Sequence, residues 1–118
     1  MMKLLEMSDS QILEVAEPIL NDIVTGSNNK DWEQFSRHMS KKHINNPEVR
    51  ASVEKQWQEN EHLTSLSDRS SFLGVIRKQN NVLVLWKQTS SVTEDEYLEK
   101  LYLQEIDGDI KQAGTWIE

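Results

Sequence analysis

Residues 93–117, TEDEYLEKLYLQEIDGDIKQAGTWI, decide what kind of fold this chain can make. Two readings compete over their first half. Thr93-Glu94-Asp95-Glu96 has the form of a capping box, and Leu98, Leu101, Tyr102 and Glu105 would then lie along a helix. Against that stands Asp107-Gly108, a pair that tolerates the left-handed backbone of a two-residue hairpin turn. Such a turn needs an antiparallel partner immediately before Ile110 to Ile117, and only the preceding stretch can supply one. We therefore read Tyr97 to Ile106 and Asp109 to Ile117 as paired strands.

Working outward, β-branched and aromatic residues are enriched in Phe72 to Lys78 and again in Val82 to Thr89, with Asn80-Asn81 between them as a tight turn. A weaker strand is expected before these, around His62 to Asp68. The turn position sets Ile76 opposite Leu85 and Val75 opposite Trp86. One face then carries Phe72, Ile76, Leu83 and Leu85, and the other Leu73, Val75, Val84 and Trp86. The second hairpin divides likewise, with Leu101, Leu103, Ile110 and Trp116 on one side and Leu98, Tyr102, Ala113 and Ile117 on the other. Both surfaces are apolar, and one layer of helices covers only one of them. A second copy of the chain is the expected cover for the other, giving a homodimer through the sheet with Val84, Trp86 and Tyr102 on its face. Sheet curvature and the loop from Ser90 to Asp95 are the alternative cover within a single chain.

The N-terminal half is helical in pattern. Ile12, Val15, Ile19 and Ile23 make one stripe between Ser8, which forms a capping box with Gln11, and Gly26, a helix-closing residue. Pro18 lies inside it and predicts a kink or restart near Glu17. After Ser27-Asn28-Asn29, whose Asn side chains can cap, a short helix aligns Trp32, Phe35 and Met39. A third begins at Asn46 with Pro47 in its first position, aligns Val49, Val53 and Trp57, and ends near Asn60. The whole is an α+β domain, N-terminal helices packed on an antiparallel sheet, and residues 1–118 form one unit.

Composition narrows the functions. The chain has 118 residues, no cysteine and a formal charge of -7. Disulfides, thiol nucleophiles and thiolate metal sites are therefore excluded, and a reducing, cytoplasmic setting is expected. The negative balance argues against nucleic acid and against an anionic membrane, and no apolar run is long enough to span a bilayer. The same acidity would suit a basic protein partner.

Three leading helices, one carrying Asp31-Trp32-Glu33-Gln34-Phe35, followed by a meander that closes on Glu105-Ile106-Asp107-Gly108-Asp109-Ile110 and a terminal aromatic strand, resemble the nuclear transport factor 2-like superfamily over nearly the whole chain. The resemblance implies a cone: a strongly curved, barrel-like sheet wrapped around the long first helix, with a cavity at the open end and often sheet-to-sheet dimers. It does not choose a function, since the superfamily includes ketosteroid isomerases, polyketide cyclases, epoxide hydrolases, transport adaptors and members without known activity.

The residues must choose, and they are sparing. An isomerase-like site needs a carboxylate base and proton donors facing an apolar cavity. Helix 1 has no tyrosine, and no Asp falls with assurance on an inward position of the central strands, so no catalytic residue is assigned. Asp68-Arg69 resembles the charged pairs of the epoxide hydrolases but is read as a turn. The three imidazoles, His38, His43 and His62, lack metal-site spacing, and neither metal nor cofactor is expected. Trp32 and Phe35 are pocket candidates as well as core residues, and His38, Tyr97 and Glu99 are the polar groups that can converge on a cavity. The resulting expectation is a dimeric module that binds a small hydrophobic ligand or a partner. An isomerase- or cyclase-like enzyme acting on a small cyclic ketone or polyketide is the alternative.

Overall fold

The computed structural model describes residues 3–118, and for Asp68 and Arg69 their backbone only, so the Asp68-Arg69 pair lies outside the described side chains. The domain is α+β, with helices followed by an antiparallel sheet on which they pack. Helix α1 runs Asp9–Asn29, α2 Trp32–Phe35, α3 Lys41–Ile44 and α4 Pro47–Glu59. The strands are β1 Leu66–Arg77, β2 Val82–Ser90, β3 Glu96–Ile106 and β4 Asp109–Ile117, paired in the order β1-β2-β3-β4.

Helix α1 starts where the sequence says it should. The Ser8 hydroxyl accepts from the Gln11 amide and the Gln11 side chain accepts from Ser8 N–H, completing the capping box. The helix then runs unbroken through Pro18, with no restart at Glu17. Proline inside a helix costs about 3 kcal/mol. Ile12, Ile19, Leu20 and Ile23 are all buried, and each such side chain contributes roughly 1.5–3 kcal/mol, so the stripe outweighs the proline. Pro18 itself and Glu14, whose carbonyl loses its donor, both lie on the exposed side.

Gly26 does not close the helix. Lys30 takes the left-handed conformation instead (φ 53°), and its N–H reaches Gly26 and Ser27 carbonyls. Gly26 is a point of close approach: a Cβ there would stand 2.5 Å from the Phe35 nitrogen. The Asn capping expectation is also replaced, because Asp31 caps α2, accepting from Gln34 N–H. Asn28 turns to the sheet, donating to the Leu66 carbonyl and accepting from Leu66 N–H, both at 2.8 Å. Helix α4 follows its pattern, with Asn46 as cap and Pro47 in the first turn. Of the weak strand expected around His62 to Asp68, the first half is a single 3-10 turn, Glu61–Thr64, and the second half is extended and continuous with the next expected strand, as the start of β1 at Leu66.

Residues 96–106 are extended, and the Asp107-Gly108 turn has both residues at positive φ, 53° and 84°. The first hairpin differs from its predicted register by two residues. Ile76 faces Leu83 and Val75 faces Val84, and the turn closes with Lys78 N–H donating to the Asn81 carbonyl. Neither turn Asn uses a left-handed conformation, so the signal that located the turn was misread by one position.

Bulges then decide the faces. A register shift between Phe72 and Gly74 puts Phe72 opposite Trp86, on the inner side rather than with Ile76. A second, where Tyr102 faces Gly114 but Leu103 faces Gln112, leaves Ala113 as an extra residue in β4. It exchanges the predicted sides of Trp116 and Ile117. Extra residues of this kind bend and twist the strand that carries them.

The inner face is therefore built of rows across the sheet: Val82, Leu103 and Gln112; Val84, Leu101 and Thr115; Trp86, Glu99 and Ile117; Gln88 and Tyr97. This face holds the core. Val84 and Trp86, expected on the dimer face, are 0% and 2% exposed beneath the chain's own helices, which corrects that expectation. The outer face carries Ile76, Leu83, Leu85, Tyr102 and Trp116, with Ile76 and Trp116 about half exposed at 46% and 56%.

Candidate functional site

A cleft of about 530 Å³ opens between α4 and β4. Its helical wall is mainly apolar, with Phe35 from α2 and Val49, Val53 and Trp57 from α4 beside the polar Ser27, Ser52 and Gln56; the Phe35 and Trp57 rings meet edge to face with centroids 5.4 Å apart. The valines and Trp57 recur at four-residue intervals and therefore share one side of α4. The opposite wall is the edge strand β4, from Gln112 to Ile117, and His43, Asn46 and Glu48 contribute a polar rim. Among the described residues no Lys or Arg lines it.

The backbone of β4 is fixed at the start of this wall. Gln112 N–H donates to the His38 carbonyl at 2.7 Å, and Met39 and Gln112 form a parallel bridge. The side chain of Gln112 is thereby carried inward, 1% exposed, yet its Nε2 has no acceptor, and the buried Oγ1 of Thr115 has no partner either. The β-bulge at Ala113 allows both to face inward although they are three residues apart, a spacing that would otherwise send them to opposite faces.

Glu99 lies one strand further in, between Trp86 of β2 and Ile117 of β4. It is fully buried, and neither carboxyl oxygen receives a hydrogen bond from the described residues. Burial pushes its carboxyl up to about 8, so the group is mostly uncharged at neutral pH. Beside it, Gln88 donates from Nε2 to the carbonyls of Ser67 and Thr89 while its Oε1 is unpaired.

Of the five predicted pocket residues, the structure places only Phe35 on the cleft wall. Trp32 packs behind it, its ring 6.1 Å from Phe35 and capped by the Arg50 guanidinium at 5.8 Å. His38 turns away to α1, where its Nε2 donates to Asp22 Oδ2 at 2.7 Å; Arg37 and Gln34 donate to the other oxygen. Burial raises the Asp22 carboxyl, but those hydrogen bonds from His38 and Gln34 and the charge of Arg37 outweigh it and hold the group below its usual value. Tyr97 stacks on His62 at 4.9 Å and its hydroxyl pairs with Thr93. Glu99 is interior but not on the wall. The three histidines are thus dispersed, and no cluster of metal-binding side chains occurs among the described residues.

Sequence reasoning missed Gln112 and Thr115. The alignment of Val49, Val53 and Trp57 was visible as a helix face, but nothing in the sequence marks Ala113 as the extra residue that turns both polar groups inward.

Compared with family models, curated proteins and solved structures, the chain has no significant match in any of the three. No helix among the described residues is long and apolar enough to cross a membrane. What fold and site define is an α+β domain with an apolar cleft at one edge of its sheet.

Proposed function

We propose that this chain is a small-ligand-binding module of the nuclear transport factor 2-like kind, cytoplasmic, which takes a hydrophobic molecule in the cleft between α4 and β4 and pairs with a second copy through the outer face of its sheet. The observation that carries the ligand reading is the cleft itself: about 530 Å³, walled by Phe35, Val53 and Trp57, with unpaired polar atoms on its β4 side. Ligand sites are commonly of this size and combine an apolar lining with a few placed polar groups. The order of elements and the bulged meander support the superfamily assignment. The half-exposed Ile76 and Trp116, with Leu83, Leu85 and Tyr102 between them, support the pairing.

A second reading, the acid-base enzyme, is favoured by one observation, the buried neutral carboxyl of Glu99. It lacks a companion. Among the described residues the carboxylate and imidazole lining the cleft are Glu48 and His43, and Glu99 does not line it. Binding is the reading that uses what the cleft contains.

The test is a fluorescence titration with N-phenyl-1-naphthylamine, a neutral apolar probe. Saturable binding is expected, lost in Val53→Trp, whose larger side chain fills the cleft from a half-buried position without entering the core. Absence of saturable binding, or binding indifferent to Val53→Trp, contradicts the proposal.

A further inference from the structure

The cleft's two walls differ in what they ask of an occupant. The helical wall is largely apolar, from Phe35, Val49, Val53 and Trp57, although Ser27, Ser52 and Gln56 also line it. On the β4 side, shielded from water, lie two polar atoms with no hydrogen-bond partner among the described residues, the Gln112 Nε2 and the Thr115 Oγ1. A buried donor left unpaired costs roughly 1–3 kcal/mol, and these two are held there by built features. The His38 carbonyl and the Met39 bridge fix the Gln112 backbone, and the extra residue Ala113 brings Thr115 onto the same face. Bulges often re-aim side chains in this way beside binding sites.

Resting on the binding proposal above, we infer that the ligand is a neutral molecule with an apolar body and one carbonyl-type oxygen, which accepts hydrogen bonds from the Gln112 side-chain amide and the Thr115 hydroxyl. An anion is disfavoured because among the described residues no Lys or Arg lines the cleft and the chain carries a formal charge of -7. The carboxyl of Glu99, one strand behind the wall, adds no charge to the site near neutral pH. A hydrocarbon fills the volume but leaves both groups unpaired, so the oxygen supplies selectivity while the apolar body supplies most of the affinity.

The experiment compares 2-acetylnaphthalene with 2-isopropenylnaphthalene, which replaces the carbonyl oxygen by a CH₂ group of similar shape, and with 2-naphthoate. Wild-type protein is expected to bind the ketone roughly three- to tenfold more tightly than the alkene. In Gln112→Leu/Thr115→Val that preference disappears, through a loss of ketone affinity with alkene affinity kept. Equal binding of ketone and alkene by the wild type, a preference that survives the double substitution, or tightest binding of the carboxylate overturns the ligand class and leaves the cleft proposal standing. Failure of every probe overturns the cleft proposal itself, and this inference with it. The wild-type comparison needs no variant, so it decides even where the double substitution fails to fold.

Discussion

Glu99 faces Trp86 directly across the β2–β3 ladder, and both side chains are enclosed, at 0% and 2% exposed. An acidic group beside an indole, with no hydrogen-bond donor among the described residues to stabilise its charge, is held in its protonated form by burial. Stability must then depend on pH with a definite sign. In the unfolded chain the carboxyl ionises near its ordinary value of 4.5, and in the fold only at about 8. The native state binds the extra proton, so its stability falls as pH rises from about 4.5 to about 8 and is insensitive to this group beyond. The total loss is on the order of 5 kcal/mol. Urea unfolding of wild type and Glu99→Gln across that window is the measurement. The slope is expected to vanish in the variant, which becomes the more stable protein at pH 8.

Two glycines make a contrasting pair. Alanine gains about 1 kcal/mol over glycine inside a helix, yet at Gly26 its Cβ would meet the Phe35 backbone at 2.5 Å, where nothing can yield easily. Overpacking of this kind costs about 1–3 kcal/mol, so Gly26→Ala is expected to lose net stability. Gly74, in the β1 bulge, has nothing within 4 Å of a built Cβ, and Gly74→Ala is expected to be neutral or slightly stabilising. Thermal unfolding of the two variants checks both signs.

Asn28 holds the start of β1 to the end of α1 through both backbone groups of Leu66, a residue only 5% exposed. Asn28→Ala leaves a buried N–H and a buried C=O unpaired and is expected to cost about 2 kcal/mol or more. Asn28→Asp keeps an acceptor for the N–H and should lose less near neutral pH. Chemical denaturation of the three proteins ranks them.

These particulars show which parts of the molecule were legible in the residues. Ser8 with Gln11, Asn46 with Pro47, and Asp107-Gly108 act within three or four residues, and each did what its local chemistry predicts. Asn28 and Gly26 were recognised as special but assigned local roles, because their true partners, Leu66 and Phe35, meet them only after folding. The site suffered most. Period-two alternation assumes an unbroken ladder, and one extra residue at Ala113 or near Leu73 inverts the side of everything beyond it. Hence Trp116 and Phe72 were placed on the wrong faces, and Gln112 and Thr115 were not seen to share one.

The proposed pairing has a specific form on the outer face. Ile76 lies on β1 and Trp116 on β4, the two edges of the sheet, so a face-to-face pair would cover both. Sedimentation velocity at low micromolar concentration is expected to show a dimer for the wild type and a monomer for Ile76→Lys/Trp116→Lys. A wild-type monomer contradicts the pairing.

The central claim is that the cleft between α4 and β4 is where a ligand sits, and the Gln112 side-chain amide is its most direct reporter. In ¹H–¹⁵N spectra recorded during titration with 2-acetylnaphthalene, the Gln112 NH₂ signals and the Thr115 backbone signal are predicted to shift together and saturate at one equivalent. Signals there that stay fixed while those of Ile76 and Tyr102 on the outer face move would contradict it.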